Sequence, residues 1–357
     1  MRRLVCFLLL AWLGPAALAG TRVTVQQLDQ LLTTLHNQSD GKVAKQLFGL
    51  ELTERASSLR LRRWQAGFPG KRTREALLAL ADASAFLDLP TAEILPKDVP
   101  DADEQEWTFS LAVEYVVKNA RELPNFFAKR NTMHFDNVPL VDLHADIPRH
   151  FRLMHKTAVT VTYRGGEEVE GTGAPEGGEP GSQGVGLTTS GEFGPFLAMV
   201  IGDAVDGQVS WGHWEQGASG PLAVVQYHVP QQASHYTVSF GLIAIGNERQ
   251  QSKPQIPAYH GEIAIDPESG SILRLTLETE LNPPYQEFRH SIAVEYGSVT
   301  IGDRAYICPT KAVALSRMAV SSTRRLADPT NTVLMTYLND VEFTDYHVFR
   351  SETRILP

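Results

Sequence analysis

Cysteine is nearly missing from this chain, with two in 357 residues. One of them, Cys6, lies in an N-terminal apolar stretch, which leaves Cys308 alone in the body of the chain, and a single thiol closes no intrachain disulfide. Stability must come from packing. Cys308 sits in the apolar run Ala305-Tyr306-Ile307-Cys308-Pro309, where the plain reading is a buried small hydrophobe. A nucleophile or an intermolecular disulfide is the alternative, with Arg304 and Lys311 as the nearest cations. Basic charge is also short: 32 Lys and Arg stand against 41 Asp and Glu, a formal charge of −9. That balance argues against a nucleic-acid binder, which needs clustered cations. Beyond the N-terminus no apolar run approaches the roughly 20 residues of a membrane-spanning helix. No Gly-x-Ser-x-Gly elbow, phosphate loop or dinucleotide fingerprint occurs in a strand-turn-helix setting, and no cofactor is expected.

The N-terminus carries the most specific pattern. Arg2 and Arg3 precede an apolar stretch from Leu4 to Leu13, and Ala17-Leu18-Ala19 offers small residues for cleavage. This predicts a cleavable export signal over 1–19 and a periplasmic or secreted protein. Gly14-Pro15 ends the apolar stretch too early for a span. Cleavage removes two Arg and no acid, taking the charge from −9 to −11. Cys6 lies away from the cleavage junction, so no lipid anchor is expected.

Residues 20–100 read as a helical domain. Thr24 and Gln27 form a capping box ahead of Leu28, Leu31, Leu32 and Leu35, one face of a helix. A second helix is expected near Lys42 to Phe48, ending at Gly49. A third starts at Thr53 with Ala56, Leu59 and Trp64 on one side and Arg60, Arg62 and Arg63 on a solvated face. A fourth runs from about Arg72 to Leu87. Pro90, Pro96 and Pro100 mark a linker. A further helix over about Asp103 to Arg121 either closes the bundle or opens the next unit, and its aromatic face, Trp107 and Tyr115 included, suggests packing on a sheet.

From 101 to 357 the expectation is a β-rich domain. Thr157 to Tyr163 is a β-branched strand. The segment 165–186, with nine Gly and five Glu, reads as a mobile loop. Leu222 to Val229 and Tyr236 to Ile245 read as a hairpin. Gly261 to Glu278 is a second hairpin turning at Asp266-Pro267-x-x-Gly270, where the glycine takes a positive φ. A third turns at Gly302 between Ile292 to Thr300 and Ala305 to Leu315, and Val333 to Phe343 adds a strand. Leu273, Leu275 and Leu277 alternate with Arg274, Thr276 and Glu278, which predicts a sheet apolar on one face.

The candidate chemistry is sparse. Asp142, His144, Asp146, His150 and His155 cluster without metal-ligand spacing, and no metal site is expected. His213-x-Glu215 and His260-x-Glu262 lack the Pro-Cys-x-x-Cys of a zinc deaminase. Trp211-Gly212-His213-Trp214 is either an exposed stacking platform or a cover for the core edge.

The Gly261 to Arg274 hairpin and the Glu295-Tyr296-Gly297 to Pro309 hairpin resemble the curved half-barrel of periplasmic lipoprotein carriers of the LolA and LolB type. The whole chain also resembles uncharacterised exported proteins of acidobacterial type. The half-barrel resemblance implies an apolar concave face lined by Ile263, Ile265, Leu273, Leu275 and Leu277, with a helix as lid, able to hold an acyl chain. The combined expectation is an α+β fold, an N-terminal helical bundle followed by a large curved antiparallel sheet, a half-barrel, with a covering helix. The expected function is a non-enzymatic exported binding protein for a lipid, acyl chain or lipoprotein, with the Trp pair as further contacts. The alternatives are a cell-envelope interaction module with a protein partner, and a hydrolase using His and carboxylates.

Overall fold

The computed structural model describes residues 21–137, 151–170, 191–238, 242–245, 248–251, 254–282, 288–321 and 332–348. The expected cluster at Asp142, His144, Asp146 and His150 lies outside these residues, as does the export signal. The chain begins with β1 (Thr21–Val23) and α1 (Val25–Leu35), whose Thr24–Gln27 capping box is formed. Then come α2 (Asp40–Leu47), β2 (Leu50–Leu52), α3 (Ser58–Gly67), α4 (Lys71–Ala83) and α5 (Ala102–Glu122). The β-rich part contains β3 (Phe126–Asp136), β4 (Arg152–Arg164), β5 (Glu167–Glu170), α6 (Pro195–Val205), β6 (Gln208–Gln216) and β7 (Pro221–Val229). It continues with β8 (Leu242–Ile245), β9 (Glu248–Gln251), β10 (Ala258–Ile265), β11 (Ile272–Glu280), β12 (Arg289–Ile301), β13 (Arg304–Ser321) and β14 (Thr332–Val348).

Ten strands form one open antiparallel sheet in the order β5-β4-β3-β14-β13-β12-β11-β10-β7-β6. The architecture is α+β with a half-barrel and helices. One apolar cluster draws side chains from strands across almost the whole order, from Val161 on β4 to Trp211 on β6, and is covered by α5 and α6. Convergence of so many strands on one cluster identifies that side as the inside of the curve. The outer side of β3, β4 and β12–β14 packs instead against α1–α4, where Leu28, Leu32, Trp64 and Leu77 share a cluster with Phe135, Val313 and Leu338.

Several expectations move. The third helix is capped by Ser57 and begins at Ser58, because Leu50–Leu52 is used as a strand parallel to β1. Its buried residues are therefore Leu61 and Trp64, and Leu59 is half exposed. Arg60 is not merely solvated; it pairs with Asp29 and Glu93. Trp107 faces solvent at 65% exposure, while Phe109, Val113 and Tyr115 of the same helix pack on the sheet. Residues 222–229 do not pair with the described residues of 236–245: β7 lies between β6 and β10, and β8 pairs with β9. Of the segment expected as a loop, 165–166 form a turn and β5 pairs with β4; 171–186 lie outside the described residues. The linker is fastened along the free edge of β6, with Leu95 N–H donating to the Trp214 carbonyl, which shields an edge that would otherwise recruit another strand. Gly270 has φ +71°, and a Cβ there would lie 2.4 Å from the Leu111 carbonyl oxygen of α5. The turn thus needs glycine for conformation and for close approach.

The seam between α4 and the sheet buries charge. Lys311 Nζ on β13 lies 2.5 Å from Asp82 of α4 and 3.0 Å from Asp340 of β14. Burial, aided by Asp340, raises the Asp82 carboxyl against the pull of Lys311. Removing the cation leaves two desolvated acids facing each other, so Lys311→Met should lower the unfolding free energy by about 3–5 kcal/mol in urea titrations. Adding Asp82→Asn should restore part of the loss; a Lys311→Met variant within about 1 kcal/mol of wild type would show that the triad does not hold α4.

Candidate functional site

The inner face is the part of the molecule built most unlike an ordinary core. Ile263, Ile265, Leu275 and Leu277 all point into it and are wholly buried. Leu273 does not. A β-bulge pairs Ile265 with Ile272 and Ala264 with Arg274, so the extra residue turns Leu273 to the outer face beside Leu222, Val224 and Ala264. Ile272 takes its inner place. The outer face of β11 is not left to water either, because Arg274 and Thr276 are buried there; the expected one-faced sheet is covered on both sides.

What fills the inside, together with α5, is α6. Gly194-Pro195 starts it, with Pro at the first helical position, where the missing N–H costs nothing. Phe196, Leu197, Val200 and Ile201 are buried against the strands. The helix carries one charged side chain, Asp203. Sequence periodicity missed it because a helix apolar on nearly all sides shows no 3.6-residue alternation.

Polar groups clamp α6 at both ends. Before its first turn, the Glu192 carboxylate lies with both oxygens 3.3 Å from the Arg130 guanidinium. Glu168 of β5 is 3.8 Å from Arg130 and accepts from Gly191 N–H at 2.9 Å. Arg130, Glu168 and Glu192 side chains are each exposed by no more than 4%. At the other end Asp203 accepts from Tyr259 O–H at 2.8 Å and from the His235 backbone at 2.8 Å, and lies 2.6 Å from His235 Nδ1. Buried beside this lining, the Tyr296 hydroxyl has no hydrogen-bond partner among the described residues. The signal for Arg130 was present: it falls on the same strand face as Phe126 and Ala128, where an unpaired charge is prohibitively costly.

Cys308 is buried in the same face, and burial pushes its thiol up to about 12; it packs as a small hydrophobe. Of the Trp pair, Trp214 is buried and Trp211 partly so. A bulge at Gly212 makes Trp211 oppose Val225 and Trp214 oppose Ala223, so both rings reach one face and meet edge-on at 5.0 Å. Trp211 joins the inner cluster, while Trp214 donates to the Asp98 carbonyl and carries Lys97 over its ring. His213 and Glu215 lie on the outer face in a buried network. Arg55 is 2.5 Å and Arg274 3.0 Å from Glu215, and Arg274 is 3.1 Å from Glu262. Against the upward push of burial, Arg274, His213 and Arg55 hold the Glu215 carboxyl far below the usual range. His155 stacks on His134 at 4.2 Å. Among the described residues no three His, Cys, Asp or Glu side chains are grouped to hold a metal ion. Comparison with protein-family models, with curated proteins and with solved structures finds no match.

The clamp has a pH dependence of definite sign. Burial, then the Glu192 charge, pushes the Glu168 carboxyl up to about 7 against Arg130 and the Gly191 and Phe193 N–H groups. The Asp203 hydrogen bond and charge raise His235, with Asp206 adding to them. Both folded values exceed the unfolded ones. The stabilisation is complete below the unfolded pKa of each group and is lost as pH rises through the folded value. For Glu168 this amounts to about 3 kcal/mol across roughly pH 4 to 8. Urea midpoints and α6 amide protection, corrected for intrinsic exchange, should fall over that range. Glu168→Gln should flatten the lower part and His235→Ala the upper; slopes unchanged in both variants would remove the clamp from the account.

Proposed function

We propose that the chain is an exported, non-enzymatic binding protein whose inner face takes up a long-chain carboxylate or similar anionic acyl compound in exchange for α6. The observation that carries this reading is the order of groups in the segment that fills the half-barrel: a carboxylate, Glu192, seated on buried Arg130, followed directly by an apolar helix. A fatty acid presents the same order, head group then chain. Arg130 would receive the ligand carboxylate when Glu192 leaves, and inward side chains of the strands that α6 packs on, Trp211 of β6 with Val225 and Tyr227 of β7, would line the acyl chain, with Ile263, Ile265, Leu275 and Leu277 farther along the same inner cluster.

Magnitudes favour exchange over permanent occupation by either party. Four large α6 side chains, Phe196, Leu197, Val200 and Ile201, contribute roughly 6–12 kcal/mol at about 1.5–3 kcal/mol each. An acyl chain burying about 14 methylenes at about 0.8 kcal/mol each contributes roughly 11 kcal/mol. The two nearly cancel, which suits loading and release. The resemblance of the hairpins to lipoprotein carriers points to the same ligand chemistry, and an acylated protein is a variant of it. The raised Cys308 thiol and the Trp rings add no reactive group to this face.

Delipidated protein should bind palmitate at one equivalent per chain in native mass spectrometry, with loss of amide protection confined to residues 191–205. Arg130→Gln should weaken binding at least tenfold, about 1.4 kcal/mol. No binding up to the solubility limit of palmitate, or binding that leaves α6 protection unchanged, would refute the exchange.

A further inference from the structure

The outer face carries a second concavity that the proposed acyl site does not use. The α1–α4 cluster covers β3, β4 and β12–β14 but not the far end of the sheet. Between the chain just after α4, residues 85–88, and strands β6, β7, β10 and β11 this leaves an open cavity of about 540 Å³. That is within the usual range for small-molecule sites.

Strand alternation decides what lines it. Val225, Tyr227, Tyr259, Ile263, Leu275 and Leu277 point inward, so Gln226, His228, His260, Glu262 and Glu278 point outward. Register sets His228 directly opposite His260 and His260 directly opposite Glu278. Two imidazoles and a carboxylate thus stand in a row across three strands. Glu280, at the rim, lies 2.9 Å from His260 Nδ1 and 3.6 Å from His228 Nε2. One carboxylate orients both rings and leaves His260 Nε2 directed away from that bond. At the floor, a Cβ on Gly261 would fall 2.0 Å from the Thr276 carbonyl oxygen, so the absence of a side chain there keeps both the sheet pairing and the depth. Phe86 and Leu87 form the apolar wall.

The lining selects a chemistry. Among the described residues it contains amides, imidazoles, hydroxyls and carboxylates, and no Lys or Arg side chain, which disfavours phosphate or carboxylate ligands. Glu262 is already paired with Arg274, whereas Glu278 has a hydroxyl neighbour, Ser291, at 3.4 Å. Groups that alternately donate and accept, beside an apolar wall, match a ring bearing vicinal hydroxyls on its rim and C–H bonds on its face. We propose that this cavity is a binding site for a neutral sugar of one or two rings, with His228, His260 and Glu278 holding its hydroxyls and Phe86 and Leu87 meeting its apolar face.

The experiment is a saturation-transfer and titration series on the full chain. It uses neutral gluco-, galacto-, manno- and N-acetylated mono- and disaccharides up to about 10 mM, where even weak sites fill. Putrescine and glucose 6-phosphate serve as charged probes. At least one neutral sugar should bind, and Glu278→Gln and His260→Gln should each weaken it about tenfold or more while leaving palmitate binding and the urea midpoint unchanged. Failure of palmitate binding alone leaves this site standing. No binding by any neutral sugar, equal binding by both variants, or binding of a charged probe in preference would overturn it.

Discussion

Strands in the middle of the sheet bury side chains on both faces. An open antiparallel sheet of ten strands with one dry face could leave the other to water, but the central strands here do not. β11 buries Leu275 and Leu277 on one side and Arg274 and Thr276 on the other. A charge that falls on one of the covered positions is taken out of water with its surroundings, and isolated buried charge is too costly to persist. The ion-pair networks follow from this. Arg55, Glu215, Arg274 and Glu262 bind α3's approach segment to β6, β10 and β11; Lys311, Asp82 and Asp340 bind α4 to β13 and β14; and Arg130, Glu168 and Glu192 bind the start of α6 to β3 and β5. Their positions explain how the layers stay in register better than their number explains stability, since a buried pair returns little beyond its own desolvation.

Much of the frame was legible because it rests on local rules. The Thr24–Gln27 capping box, the glycine turns at Gly270 and Gly302, and the hairpins on either side of them depend on residues a few positions apart. The pairing of β7 with β6 and β10 was not legible, since alternation marks a strand without naming its neighbour. Leu273 was assigned to the wrong face by assuming an unbroken period of two; it is itself the extra residue of a bulge on β11, between the Ala264–Arg274 and Ile265–Ile272 pairs. The same effect at Gly212 brings Trp211 and Trp214 to one side, although three residues apart on a regular strand they would point to opposite faces.

The candidate site was less legible than the frame, for a different reason. Arg130, Glu168, Glu192 and Asp203 come from separate elements and acquire meaning when the fold assembles them. Two of them nonetheless left a trace. Arg130 interrupts the apolar parity of β3, and Asp203 is the lone acid in the apolar run from Pro195 to Val205. A charge placed where the pattern calls for an apolar side chain is a sharper sign of a buried partner than a motif match. Glu168 gave no such sign, because its neighbours Glu167 and Glu170 made the stretch read as solvated chain.

The two sides of the sheet differ in what opening them would cost, and that difference bears on the proposed exchange. Outside, α1–α4 share one continuous cluster with five strands, Lys311 joins α4 to β13, and Arg55 reaches Glu215 on β6, so exposing that face means detaching the whole four-helix unit. Inside, α5 and α6 divide the cover between them, and α6 is one helix of eleven residues. Its head clamp sets two carboxylates, Glu168 and Glu192, against a single guanidinium. Like charges held this close in a dry site cannot both stay ionised without cost, so part of the energy gained by packing α6 is given back at its own anchor. In the proposed exchange an incoming anionic head group takes the place of Glu192 on Arg130, beside Glu168, and the displaced Glu192 returns to water. The proposed exchange replaces one carboxylate by another beside Glu168, so the repulsion at Arg130 stays and the acyl chain, not the head group, must supply the driving force.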